Sequence, residues 1–248
     1  MAGLLAVVVW RSRRFVIRQA AAVRERENLS RYFPPTVVDQ FANSDEPLGA
    51  VRVQPVAVMF ADIVGFSALA ERSKPEQVVE TLREFFARLE SQIFDHGGTL
   101  DKFLGDGLMA TFGTPFRGRR DAADAVACAQ AMLDSIARWN GERTQRGLAE
   151  IRLSIGIHYG DVVLGDIGSE RRLEFAVLGD VVNVASRIEG LTRRLACRAV
   201  VSEDVVHAVQ TEIGEEAGAL LTDFRRGKPQ PIRGREQTVA IWTLGSAE

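Results

Sequence analysis

The stretch TLDKFLGDGLMATFG, Thr99 to Gly113, sets two apolar runs on either side of Gly105-Asp106-Gly107. An Asp-Gly step between apolar runs favours a tight turn, because aspartate and glycine tolerate the positive φ such turns require. The stretch is therefore predicted to be a β-hairpin. Upstream, Val78, Leu82, Phe85, Phe86, Leu89 and Ile93 recur at spacings of three and four, which is one apolar face of a helix. That helix starts at Ser73-Lys74-Pro75 and stops at Gly97-Gly98. Before it, Val51 to Phe60 is a valine-rich strand. Strand, helix and hairpin in that order call for a sheet with a helix laid across it.

The rest of the chain continues the alternation. Asp121 to Trp139 reads as a second helix, and Ile151 to Tyr159 alternates as a strand. A glycine-punctuated segment runs to Ser169, LEFAVL follows as a strand, and Asp180 to Leu191 is a third helix. ACRAVVSEDV, LLTDF and TVAIWTL read as a strand-rich tail. Helices alternating with strands that are partly joined by hairpins indicate an α+β or α/β sandwich on a mixed sheet.

Composition excludes some partners. A net charge of −2 gives no general electrostatic reason to expect nucleic acid, since a duplex binder usually carries a concentrated basic face, and any polyanion must be met locally. Two scattered cysteines, Cys128 and Cys197, make no disulfide framework and point to a reducing compartment. At the N-terminus, the apolar run Ala2 to Trp10 is far shorter than the roughly 20 residues that span a bilayer. Its arginines, Arg11, Arg13 and Arg14, follow the run, whereas a signal peptide puts them first. Two readings stay open: the inner end of a membrane helix, or a frayed helix start. Residues 15–33 read as a helix with a weak pairing seam at Val16, Ala20 and Val23, ended by Pro34-Pro35. The expected organisation is an N-terminal helix and linker over 1–36, a connecting segment over 37–50 and one domain over 51–248.

Chemistry begins where the first strand closes on a carboxylate, in PVAVMFADIVGF. A charge at the end of an apolar strand is costly to desolvate unless something positive meets it. Asp62 therefore caps a turn or holds a cation, and Asp106 is either the aspartate of a hairpin turn or a second ligand. Two carboxylates from neighbouring strands suit hard divalent cations, which take oxygen ligands together with substrate phosphates. Within GDVVNVASRIEG, Asn183 and Arg187 stand four apart on one helix face. They are a solvated polar face, or an arginine fork for phosphate beside an amide for a sugar oxygen.

Taken together and in order, FADIVGFS, DKFLGDGLMATFG and VLGDVVNVASR resemble the catalytic domain of class III nucleotidyl cyclases, the adenylate and guanylate cyclases. NLSRYFPPTVVDQF resembles the linker joining bacterial cyclase domains to a membrane or sensor module. The resemblance implies a ferredoxin-like βαββαβ sandwich of α+β class over residues 51–248. It implies that Asp62 and Asp106 hold two divalent cations, Mg²⁺ or Mn²⁺, with the backbone of Ile63, Gly65 and Phe66 near the phosphates. Lys102 matches the residue that reads the purine, where guanylate cyclases carry glutamate, so ATP is favoured. Asn183 matches the residue that orients the ribose, and Arg187 the one that stabilises charge growing on the α-phosphate. Arg233, in PIRGRE, matches a lysine that grips the terminal phosphates, with Arg235 near enough to be confused with it. Ala176 departs from the pattern: the family has aspartate or threonine there to accept from the adenine amino group, and a methyl offers no acceptor.

The reaction so implied converts ATP to 3′,5′-cyclic AMP and pyrophosphate by two-metal-ion phosphoryl transfer. The resemblance also implies a head-to-tail homodimer in which Asp62 and Asp106 of one chain face Lys102, Asn183 and Arg187 of the other. Val162, Val163, Leu164 and Ile167 of the glycine-punctuated arm are expected to lie on the partner. His158 reads as structural. The location implied is a cytoplasmic domain, anchored at the inner face of the membrane if the N-terminal helix is a membrane end. Rival readings are a guanylate or unselective cyclase, a silent dimerisation or nucleotide-sensing module, and a diguanylate cyclase, whose glycine-rich turn is missing.

Overall fold

In the computed structural model, which describes residues 51–169 and 172–245, strand β1 (Arg52–Ile63) has helices on both of its faces. Ala57, Met59, Ala61 and Ile63 turn toward helices α2 (Pro75–Asp95) and α3 (Asp121–Gln145), where Phe85, Leu89, Met132 and Trp139 complete the main core. Val56 and Val58 turn the other way, under Val181 and Ala185 of helix α4 (Asp180–Leu195). This is why the segment is valine-rich throughout instead of alternating: both faces are dry.

The predicted hairpin is present as β2 (Thr99–Leu104) and β3 (Gly107–Phe112). β4 (Leu153–Ser169), β5 (Arg172–Leu178), β6 (Ala199–Ser202), β7 (Phe224–Arg226) and β8 (Ile241–Leu244) complete one sheet in the order β2-β3-β1-β4-β6-β8-β7, with β5 beside β4. β4 and β6 run parallel, and every other pairing is antiparallel. The run β1-α2-β2-β3-α3-β4, with β4-β1-β3-β2 as neighbours, is the ferredoxin-like βαββαβ arrangement expected from the sequence, and the class is α+β.

Several elements differ from expectation. β4 does not stop at Tyr159 but continues unbroken to Ser169, pairing first with β1 and then with β5. Its glycines serve packing. A Cβ on Gly156 would lie 2.2 Å from the backbone nitrogen of Glu189, and one on Gly160 would lie 2.9 Å from Val181. Helix α4 therefore rests directly on the strand backbone. Val162 and Leu164 are buried beneath it, which corrects their assignment to a partner surface; only Val163 and Ile167 of that set face outward.

The tail is less strand-rich than expected. After β6 comes helix α5 (Glu203–Ile213), capped by Ser202, whose Oγ accepts from the Val205 N–H. A short helix, α1 (Phe66–Arg72), follows β1; another, α6 (Ala217–Leu220), and the turn after it leave only Phe224 of LLTDF in a strand. The expectations for 1–36 and 37–50, including the paired-helix seam and membrane end, lie outside the described residues. Among the described residues no helix is long and apolar enough to cross a membrane.

Candidate active site

The β1–β3 register sets Asp62 opposite Gly107, so Asp106, in the turn just before, stands beside it. Gly105 takes a φ of 71°, as the turn demands. A Cβ on Gly107 would lie 2.8 Å from the Ala61 carbonyl and 3.1 Å from Asp62 Oδ1. Only glycine lets the two carboxylate-bearing segments approach this closely.

Asp62 Oδ1 accepts from the Ile63 N–H at 2.9 Å, and Oδ2 accepts from Arg193 Nη2, also at 2.9 Å. Glu189, one turn back on α4, accepts from Ser154 Oγ at 2.5 Å and lies 3.7 Å from Arg193. Burial of Asp62, and then repulsion by Asp106 and Glu189, outweigh the pull of Arg193 and push its pKa from 3.8 up to about 6. A carboxylate held this high despite an arginine contact has less positive charge near it than it can use. The donor set, two carboxylates with open positions for phosphate and water oxygens, fits Mg²⁺ or Mn²⁺.

A pH effect follows for cation-free protein. Asp62 keeps its proton to about pH 6 when folded but loses it near 3.8 when unfolded, so the folded state binds more protons in that window. Stability is thus expected to fall as pH rises from about 4 to 6 and to level off above. Asp121, buried at the start of α3, is also pushed up to about 6, mainly by burial, and adds to the same slope. Urea unfolding in the presence of chelator should show Asp62→Asn reducing the slope; a wild-type midpoint that stays flat across the window contradicts the account.

The other predicted residues gather elsewhere. Asn183 is exposed on α4, on the side away from buried Val184, Ala185 and Ile188. Arg187 Nη1 donates to the Arg233 carbonyl, against Gly234 in the loop before β8. Arg235 is paired with Asp180 at 3.2 Å, whereas the exposed Arg233 side chain has no carboxylate partner among the described residues. Of the two arginines, Arg233 is the one left for a ligand. Lys102, on β2, sits opposite Met109 and lies 3.3 Å from Asp101. Ala176 is half-buried on β5, opposite Gly165.

Near the acid pair, Gly65 has a φ of 76° and leads into α1 at Phe66. The Val64 N–H is taken by the Arg152 carbonyl, while those of Gly65 and Phe66 have no acceptor among the described residues. His158 is buried, its Nδ1 2.8 Å from Ser202 Oγ, and it takes no part in this cluster.

Asp62 and Asp106 therefore form one group, and Asn183, Arg187 and Arg233 another. Arg193, which reaches Asp62, is six residues from Arg187, about 9 Å along α4 and on a different side of it. Sequence reading missed Ser154, Glu189 and Arg193. Glu189 and Arg193 are an i,i+4 pair that looks like any solvated helix face until the helix is laid across β1.

The family model described as Adenylate and Guanylate cyclase catalytic domain matches residues 48–244. An adenylate cyclase of Anabaena cylindrica is 33% identical over 201 residues, covering 79% of this chain and 38% of that protein. Adenylate cyclase 1 of Rhizobium meliloti is 37% identical over 153 residues, 62% of this chain and 23% of that protein. The chain thus spans well under half the length of these relatives. Among solved structures, that of the guanylyl cyclase Cya2 superposes with a TM-score of 0.65 at 32% identity, covering 79% of this chain and 95% of that one. The adenylyl cyclase CyaB from P. aeruginosa gives 0.67 at 24% identity, covering 80% and 97%, a likeness of fold.

Proposed function

The chain belongs to the adenylate and guanylate cyclase catalytic domain family, and from that premise we propose that it converts ATP to 3′,5′-cyclic AMP and pyrophosphate in sites shared by two copies. The observation that carries this reading is the register of Asp62 against Gly107, which brings Asp106 to its side.

In this reading Asp62 and Asp106 hold two Mg²⁺ or Mn²⁺ ions, and the amides of Gly65 and Phe66 face the phosphates. Bound there, the cations supply charge neutralisation and acidify the ribose 3′-hydroxyl. The 3′-oxygen forms the new bond to the α-phosphorus, the bond to pyrophosphate breaks, and the hydroxyl proton leaves through water or Asp62. Asn183 orients the ribose, Arg187 meets the charge growing on the α-phosphate, and Arg233 holds the departing pyrophosphate. Lys102 donates to N1 of adenine; at guanine N1 it would meet another donor.

The separation of the two groups on one chain supports a head-to-tail pair, since each site then draws its acids from one copy and its cations from the other. Exposed apolar side chains support it too: Phe103 and Leu104 beside the turn, and Val163, Ile167 and Leu178 on the arm, are each between 39% and 49% exposed. Residues 1–50 would connect this domain to a membrane or sensor module on the cytoplasmic side.

Ala176 favours a second reading, an unselective or guanylate cyclase, because the adenine amino group gains no side-chain acceptor there. Loss of one such hydrogen bond is worth about 1 kcal/mol, roughly fivefold in selectivity. Turnover of ATP and GTP with Mn²⁺, followed by chromatography of the cyclic products, tests the choice. ATP is expected to lead, with Ala176→Thr widening its lead about fivefold. A kcat/KM for GTP equal to or above that for ATP overturns the ATP reading.

A further inference from the structure

A cavity of about 830 Å³ opens beside the acid pair, between α3, the start of α1 and the C-terminal end of α4. Its size suits a small organic ligand. Leu133, Ile136 and Leu153 give it an apolar wall, and Arg152, Arg193 and Arg198 are among its lining residues. No aspartate or glutamate lines it. Arg152 and Arg198 make no ion pair among the described residues and bring charge to the lining without a built-in counter-charge, whereas Arg193 is held by Asp62 at 2.9 Å and by Glu189 at 3.7 Å. An apolar wall with unneutralised arginines complements one chemistry, an acid group on an apolar body.

Arg193 belongs to two sites at once. It lines the cavity, and its Nη2 also lies 2.9 Å from Asp62 Oδ2. The Arg193 side chain is 51% exposed, and an ion pair so open to water is weak and exchangeable. An anion in the cavity competes with Asp62 for that guanidinium. Whatever draws Arg193 off Asp62 makes the carboxylate more available to a cation.

We propose that this cavity binds an amphipathic monocarboxylate whose acid group takes Arg193, and that its binding strengthens cation binding at Asp62 and Asp106. The linkage rests on the reading of those aspartates as cation ligands; the binding does not.

Octanoate serves as the probe, titrated calorimetrically into the full chain in the presence of chelator. Saturable binding is expected, weaker for octan-1-ol and for acetate. Ala137 is an exposed wall residue, so Ala137→Trp fills the space without touching the core, and Arg193→Gln removes the anchor; each is expected to weaken octanoate at least about fivefold. Mn²⁺ is then titrated without chelator, free ion being read by electron paramagnetic resonance. Saturating octanoate is expected to tighten Mn²⁺ about fivefold, while Arg193→Gln binds Mn²⁺ more tightly from the outset and ignores octanoate.

Absence of saturable octanoate binding, or equal binding by octanol or by Ala137→Trp, overturns the site. Octanoate binding that leaves Mn²⁺ affinity unchanged overturns the linkage while the cyclase reading stands. If octanoate binds but Mn²⁺ does not, the cation reading fails, and the linkage with it.

Discussion

Asp106→Ala is expected to lower cyclic nucleotide formation by at least about a thousandfold while the domain stays folded. Loss of a group that only orients a metal ligand costs about 10–100-fold, and loss of an oxygen that itself meets the cations should exceed that. The fold has little at stake, because Asp106 sits half-exposed in a hairpin turn whose geometry is set by Gly105 and Gly107. The substitution should also act on its neighbour. Asp106 is the foremost charged contributor to the raised pKa of Asp62, so its removal lets that pKa fall and weakens the destabilisation that develops between about pH 4 and 6. Activity and stability then move in opposite directions. Initial rates with ATP and Mn²⁺, read beside urea unfolding of the same preparation, check both. Residual activity within about tenfold of wild type, or a loss of activity traceable to unfolding, removes Asp106 from the role given to it.

The order of elements as far as α4, apart from α1 and the length of β4, was legible because each signal was local. The apolar period from Val78 to Ile93 marks α2, and the Asp-Gly step marks the hairpin. β4 was harder. Gly160 looks like a strand breaker in a linear reading, yet it exists because α4 presses on the strand, a contact with Val181 some 20 residues away. Helix α5 was missed for a related reason: Val205, Val206 and Val209 suggest a strand by propensity, and only the Ser202 cap ahead of two acidic residues signals a helix. In the site, Asp62 and Asp106 could be paired in thought because glycine and strand ends surround both. Arg193 could not, since nothing local distinguishes it from Arg194, which bonds Gln230 instead.

Mixing two inactive variants gives the second large effect. Arg187→Ala is expected to reduce turnover by about 10²–10³-fold, the usual cost of removing one group aimed at transition-state charge. Arg187→Lys controls for loss of the contact with the Arg233 carbonyl, which could let the loop before β8 drift. The informative step is to combine Arg187→Ala with Asp106→Ala. If each site takes its acids from one copy and its arginine from the other, a mixed pair carries one doubly damaged site and one intact site. Free exchange of equal amounts makes about half of all pairs mixed, each with one working site of two, so activity should return to about a quarter of wild type. The placement of the residues leads to the same expectation. Arg187 faces the loop bearing Arg233, while Arg193 is the arginine of the same helix that reaches Asp62. Were one chain to supply every group, both variants would stay inactive in any proportion. A mixture no more active than the sum of its parts, with subunit exchange verified by differential labelling, would end the shared-site reading and return the search for the phosphate-binding cation to the acid pair's own chain, where Arg193 is the first candidate.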